Sequence, residues 1–297
     1  MGRMVILLLL LLCSTAYAQS SADRVALTWT FDVSKAQKDE DGRILLPVPM
    51  DQPYQKVTCE FIDAKVKDVS RKGENRIVAV TTRERSFSLR ATVEFLGAND
   101  PGIDPQSKGT VPNELKSFLQ EGKTLKTRSA KLVKIAGELK AEKPVPTIHN
   151  ILQWQTMNLK YQYVPGKWSY DTVDEIVSRG HAECSGYATT FAALARNCGL
   201  PTRRVFGVMK SQQAFAGQPA GSFIQHNWNE TFVPGAGWVS VDALDLRRPI
   251  GRMLRDHVWI TTYGMNESEN AKFTALAITN FTQMAGNLIV PKVESGK

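Results

Sequence analysis

The chain is poor in cysteine: four in 297 residues, with no Cys-x-x-Cys pair to suggest a redox dithiol. Long apolar runs are equally scarce. Arg3, the run Val5 to Leu12 and the small-residue ending Ala16-Tyr17-Ala18 read as a signal peptide over residues 1–18, cut before Gln19. That run is shorter than the roughly 20 residues a bilayer span requires, so a secreted or periplasmic protein without a stable membrane anchor is expected. No arginine-rich stretch or basic patch interleaved with aromatics points to nucleic acid. No Cys/His spacing of a zinc site is present, and the acidic run Lys38-Asp39-Glu40-Asp41-Gly42 lacks the alternating ligands of a calcium loop. Neither metal nor cofactor is expected. No internal repeat or low-complexity tract follows the leader.

Beyond the leader three cysteines remain, Cys59, Cys184 and Cys198, and an odd count leaves at least one thiol free unless it pairs with another molecule. Cys184 and Cys198 lie on one helical pattern, about 21 Å apart at a rise of 1.5 Å per residue. They cannot bridge each other there. The formal net charge is +8, and losing Arg3 with the leader makes it +7 (8 − 1), which favours anionic surfaces. With 42% apolar residues the chain can fill one large core or two modest ones.

Period-two patterns at Val25–Phe31, Arg76–Val80 and Phe87–Phe95 predict a β-rich N-terminal domain over residues 19–100. The turn-rich stretch from Gly97 to Pro112 begins a linker and helical segment, residues 101–146. Helical spacing follows: Leu115, Phe118 and Leu119 mark one short helix, and Leu132, Ile135, Ala136 and Leu139 a second. A third is expected after Pro144 and Pro146, capped by Thr147 and carrying Ile148, Ile151, Leu152 and Leu159. A shorter one is expected from Asp171 to Arg179. Residues 147–290 are expected to form the principal domain.

In the stretch GHAECSGYATTFAALARNCGLP, Tyr187, Phe191, Leu194 and Cys198 share one face of a buried helix stopped by Gly199 and Pro201. Cys198 reads as core packing. Cys184 stands in the first turn, where unpaired amides and the helix dipole stabilise a thiolate, while neighbouring Glu183 opposes it. Downstream, a strand at 204–209 and a hairpin of 223–233 with 238–242 bring His226 and Asp242 within about three residues of facing each other. Thiol, imidazole and carboxylate are the nucleophile, base and orienter of acyl transfer.

Several ordered motifs between Tyr161 and Ser268 resemble the transglutaminase-like superfamily. They are Cys184-Ser185-Gly186-Tyr187-Ala188, Cys198-Gly199-Leu200-Pro201-Thr202-Arg203 with Gly207, His226-Asn227-Trp228-Asn229-Glu230, Gly237-Trp238-Val239-Ser240-Val241-Asp242, and Asp256-His257-Val258. Ala182 stands where family members commonly carry glycine. The resemblance implies an α+β fold, a papain/transglutaminase-like core with helices packed on an antiparallel sheet, preceded by a small β-rich region. It implies Cys184, His226 and Asp242 as catalytic triad, with Tyr161, Tyr163, Trp168 or Trp228 at the oxyanion or substrate site. The expected function is amide acyl transfer through an acyl-thioester on a protein or peptide substrate, cell-wall peptide included. Its outcome would be hydrolysis (peptidase or amidase) or transamidation. The rival is a non-catalytic binding protein retaining the fold. Asn229, Asn266 and Asn280 begin glycosylation triplets that matter only in a glycosylating host.

Overall fold

The computed structural model describes residues 24–70, 75–96, 103–121, 125, 127–163, 172–214, 218–245, 250–251, 256–263 and 269–285. The expected leader and Asn266 therefore lie outside the described residues. Among those described, no helix is long and apolar enough to cross a membrane.

The N-terminal region is β-rich. Strands β1 (Arg24–Asp32), β3 (Gln55–Ile62) and β6 (Ser86–Phe95) form one antiparallel sheet in the order β1-β6-β3. A second holds β2 (Ile44–Pro47), β5 (Ile77–Thr81) and β4 (Lys65–Ser70) in the order β2-β5-β4. Alternation decides which face is buried: Val25, Leu27, Trp29 and Phe31 of β1 and Phe87, Leu89, Ala91 and Val93 of β6 all point inward.

A 3-10 turn, Asn113–Leu119, stands where the first short helix is expected, and its Phe118 packs edge-on against Trp238 at 4.8 Å. Helix α1 (Ala130–Leu139) is capped by Ser129, whose side chain accepts from the Leu132 amide. Helix α2 (Pro144–Asn158) starts three residues before the expected cap. Lys143 is the N-cap, because both prolines fit in a first turn whose amides have no helical partner, and the Thr147 hydroxyl instead donates back to the Lys143 carbonyl at 2.8 Å. Strand β7 (Lys160–Tyr161) leads on to α3 (Val173–Arg179), whose start is fixed by a reciprocal capping box of Thr172 and Glu175. The expected start at Asp171 lies outside the described residues. Gly180 ends α3 with φ of 72°, and β8 (His181–Ala182) pairs in parallel with β7.

Helix α4 (Cys184–Asn197) follows at once and packs on the central sheet. That sheet comprises β9 (Thr202–Lys210), β10 (Phe223–Val233), β11 (Gly237–Val241), β12 (Ile250–Gly251) and β13 (His257–Tyr263), antiparallel in the order β12-β11-β10-β9-β13. Phe191, Ala192, Leu194 and Ala195 of α4 share one core with Val233, Val239 and Val241 and with Leu132 and Ile148 of the flanking helices. The fold is thus α+β, helices packed on an antiparallel sheet.

The N-terminal sheets do not keep a core to themselves. Trp29, Phe31 and Phe87 join Phe206, Val208, Val258 and Ile260 of the central sheet in one cluster. Helix α5 (Glu269–Met284) ties them together: Phe281 lies 5.5 Å from Trp29, 5.3 Å from Phe31 and 5.6 Å from Phe206, centroid to centroid.

Candidate active site

Cys184 opens α4, with Glu183 as N-cap. The Glu183 carboxylate accepts from the Ser185 amide at 2.6 Å and the Ser185 hydroxyl at 2.7 Å. It is thereby spent on the cap. The Cys184 Sγ accepts from the Asn227 side-chain amide at 3.5 Å, and Asn227 Oδ1 accepts from the Tyr263 hydroxyl at 2.8 Å. Arg204 holds that tyrosine, its guanidinium 4.3 Å over the ring, and donates to the Thr189 hydroxyl at 2.7 Å. Burial and then the Glu183 charge push the thiol up to about 12, against the lowering effect of Asn227. The resting thiol is protonated at neutral pH.

The second group sits on the other side of β10. Asn227 and Asn229 reach α4, whereas His226 and Trp228 project from the opposite face, stacked with centroids 6.0 Å apart. His226 Nε2 lies 2.7 Å from Asp242 Oδ2, both residues being buried. Register explains the pairing: Asn229 faces Val241, so Asp242 follows one residue later and meets His226 on the diagonal. Asp242 Oδ1 also accepts from the Leu244 amide at 2.9 Å. Burial alone would raise Asp242, but the charge and hydrogen bond of His226, aided by His257, hold it far below the usual carboxylate range.

His257 completes this group. Its Nε2 lies 3.3 Å from Asp242 Oδ2 and its Nδ1 2.7 Å from Asp256 Oδ1. Gly207 lets β13 and the Trp228 ring close on β9, which pairs Gly207 with His226 on one side and Trp259 on the other. A Cβ there would stand 2.1 Å from the Val258 carbonyl oxygen and 2.6 Å from the Trp228 ring.

The structure therefore brings His226 and Asp242 together and gives Cys184 to Asn227; among the described residues no hydrogen bond joins Cys184 to His226. The ring nitrogen left for a thiol is His226 Nδ1, since Nε2 is taken by Asp242. Tyr161 is 42% exposed beside Cys184, and burial and then the Cys184 and Glu183 charges raise its phenol. Tyr163 is 39% exposed two residues on. Trp228 is 1% exposed and packs with Val205 and Trp259, so it supports the imidazole from behind instead of facing a substrate as expected. Trp168 lies outside the described residues. Cys198 is buried as expected; Asn229 and Asn280, 1% and 0% exposed, are closed to glycosylation in the folded chain. Sequence reasoning quoted Asn227, Asp256 and His257 within the family-like motifs without giving them a role, and missed Tyr263. Period two signals that Asn227 faces away from His226; Tyr263 arrives with β13 and carries no local mark.

Residues 133–243 match the family model described as the transglutaminase-like superfamily. A protein of Haemophilus influenzae described as uncharacterized is 22% identical over 261 residues, covering 74% of this chain and 69% of its own. Among solved structures, a protein of Cytophaga hutchinsonii described as a candidate cysteine protease superposes with a TM-score of 0.61 at 15% identity, over 90% of this chain and 88% of that one. The periplasmic domain of TgpA from Pseudomonas aeruginosa is a more distant match, at 18% identity and a TM-score of 0.39 over 75% and 81%. With α4, β9, β10 and β11 in place and these motifs in order along them, residues 133–243 are similar to the core described by the transglutaminase-like superfamily model.

Proposed function

We propose that the protein is an exported thiol enzyme that transfers the acyl group of an amide through an acyl-thioester, with Cys184 as nucleophile, His226 as general base and acid, and Asp242 as orienter. The observation that carries this reading is the buried His226–Asp242 hydrogen bond, one strand residue from the Asn227 side chain that touches Cys184 Sγ. Catalytic hydrogen bonds are often loose in unliganded enzymes and tighten when substrate binds. His226 projects from the face of β10 opposite Asn227, so reaction requires its ring to turn past the strand until Nδ1 comes within hydrogen-bond reach of the thiol.

The Cys184 Sγ–H proton then passes to Nδ1, and the thiolate attacks the amide carbonyl. Asp242 stabilises the imidazolium and fixes its orientation. The backbone amide of Cys184, at the first helical position and without a helical partner, donates to the developing oxyanion, as does the Tyr161 hydroxyl if the substrate lies over it. As the C–N bond breaks, Nδ1 returns the proton to the leaving amine; water, its proton taken by Nδ1, then attacks the thioester, the C–S bond breaks, and Nδ1 returns that proton to the Cys184 sulfur. Hydrolysis is favoured because Tyr161, beside Cys184, is 42% exposed and water is always present to compete with an amine. A protein or peptide is the substrate class, and the basic charge suits an anionic cell-wall setting. Export rests on the leader at residues 1–18.

A second reading, a binding protein that keeps the fold, is favoured by one observation: the resting thiol belongs to Asn227 and is pushed up to about 12. Incubation with casein, and separately with a glutamine peptide plus a primary amine, separates these readings. Peptide release lost in Cys184→Ala supports hydrolysis and amine incorporation lost in that variant supports transamidation. Neither product in the wild type supports the binding protein.

A further inference from the structure

We propose that His226, Asp242 and His257 form a binding site for a divalent transition cation of the zinc class, whose occupancy removes the base from the thiol chemistry; this last clause rests on the function proposed above. One donor atom from each residue falls in a single buried cluster, all three within 4.8 Å of one another. The two imidazole Nε2 atoms lie 2.7 Å and 3.3 Å from the same carboxylate oxygen. Zinc bonds of about 2.0–2.2 Å in tetrahedral array separate neighbouring ligand atoms by roughly 3.3 Å. Ligation therefore turns the two rings, opening the 2.7 Å contact and drawing in donor atoms that spread up to 4.8 Å.

Two further features fit a metal. The remaining nitrogen of His257, Nδ1, is already held by Asp256 Oδ1 at 2.7 Å, the carboxylate–histidine arrangement that orients ligating imidazoles. The donor set of two imidazoles and one carboxylate also suits zinc-class cations and is wrong for calcium or magnesium, which take oxygen ligands. Three protein ligands leave a fourth position open.

Ligation needs both Nε2 lone pairs. A neutral His226 moves its proton to Nδ1, and His257 keeps its Nδ1–H on Asp256 while releasing any Nε2 proton to water. His226 Nδ1 then carries hydrogen and cannot accept the proton of Cys184. The ligands come from β10, the residue after β11 and the start of β13, separated by 16 and 15 residues, which is why no short zinc spacing is visible in the sequence.

The test is titration of the metal-stripped mature protein with cobalt(II), reading ligand-field absorption, then displacement by zinc. Saturation at one equivalent in both wild type and Cys184→Ala is expected, with affinity lowered at least about tenfold in His257→Ala and His257→Gln, each checked for native circular dichroism. No saturable absorption in the wild type, equal affinity in both His257 variants, or loss of the signal in Cys184→Ala would overturn the site. For the second clause, one equivalent of zinc should slow alkylation of Cys184 and a chelator restore it; an unchanged rate overturns the shut-off. If His226 has no effect on alkylation the thiol reading fails and takes that clause with it, while the cobalt titration still decides the site.

Discussion

Replacing Glu230 by glutamine keeps the side-chain shape and removes a charge on which two parts of the molecule depend. Arg203 Nε donates to Glu230 Oε2 at 2.6 Å, and the Tyr54 hydroxyl of the N-terminal region donates to Oε1 at 3.0 Å. The Arg203 and Glu230 side chains are only 6% and 4% exposed, and the guanidinium lies 4.3 Å over Trp238. An exposed pair would be worth about 0–1 kcal/mol, but a buried charge left without its partner costs about 3–5 kcal/mol. At a urea m-value of about 3 kcal/mol/M, the midpoint of Glu230→Gln should fall by roughly 1 M or more with the slope unchanged. Urea unfolding followed by far-UV circular dichroism reads this directly. The double variant Arg203→Met/Glu230→Leu should recover most of the loss, since apolar replacement of both members of a buried pair is often neutral. A cost below about 1 kcal/mol for Glu230→Gln would refute the reasoning, because the pair would then behave as a solvated one.

Gly207→Ala should destabilise by about 1–3 kcal/mol or more, seen as a lower Tm, because the new methyl meets the Val258 carbonyl oxygen at 2.1 Å and backbone there cannot move without parting β9 from β13. Asn227→Ala removes the donor that lowers the Cys184 pKa, so alkylation of Cys184 at a fixed pH should slow. Burial raises Cys59 to about 11, Cys184 to about 12 and Cys198 to about 11. Folded values above the unfolded value of about 8.5 mean that stability is fully present below about pH 8.5 and is lost as pH climbs toward 11. The urea midpoint should therefore fall between pH 8.5 and 11, and Cys198→Ala should flatten that slope. Asn280 receives the Gln37 amide at 2.8 Å and donates to the Gln37 and Leu45 carbonyls at 2.9 and 3.0 Å, so Asn280→Ala should cost about 1–3 kcal/mol in the same assay.

Helix α4 was legible because its buried face repeats through Tyr187, Phe191 and Leu194 and ends at Gly199 and Pro201, signals confined to twenty residues. The hairpin of β10 and β11 was legible for the same reason, and its two-residue offset between His226 and Asp242 fell within diagonal reach. Thr147 misled because a threonine after two prolines looks like a cap, whereas Pro144 and Pro146 sit without cost in the first turn of α2. Alternation along β10 already implied that Asn227, not His226, faces α4; following only the histidine face concealed it. His257 was quoted within the Asp256-His257-Val258 motif but its place beside Asp242 had no local signature, and Tyr263 had none at all. They enter through the pairing of β13 with β9, a contact between distant segments that depends on the bare backbone at Gly207.

The central claim is that His226 activates Cys184, and the rate of iodoacetamide alkylation of Cys184 between about pH 4 and 9 tests it most directly, in wild type and His226→Ala. The account predicts faster labelling near neutral pH in the wild type than in the variant, because the imidazole takes the proton of a thiol whose own pKa is raised to about 12. A rate that climbs about tenfold per pH unit to the end of the range, without a plateau and equally in both proteins, would contradict it. The thiol would then be a half-buried group without a base, resting on Asn227.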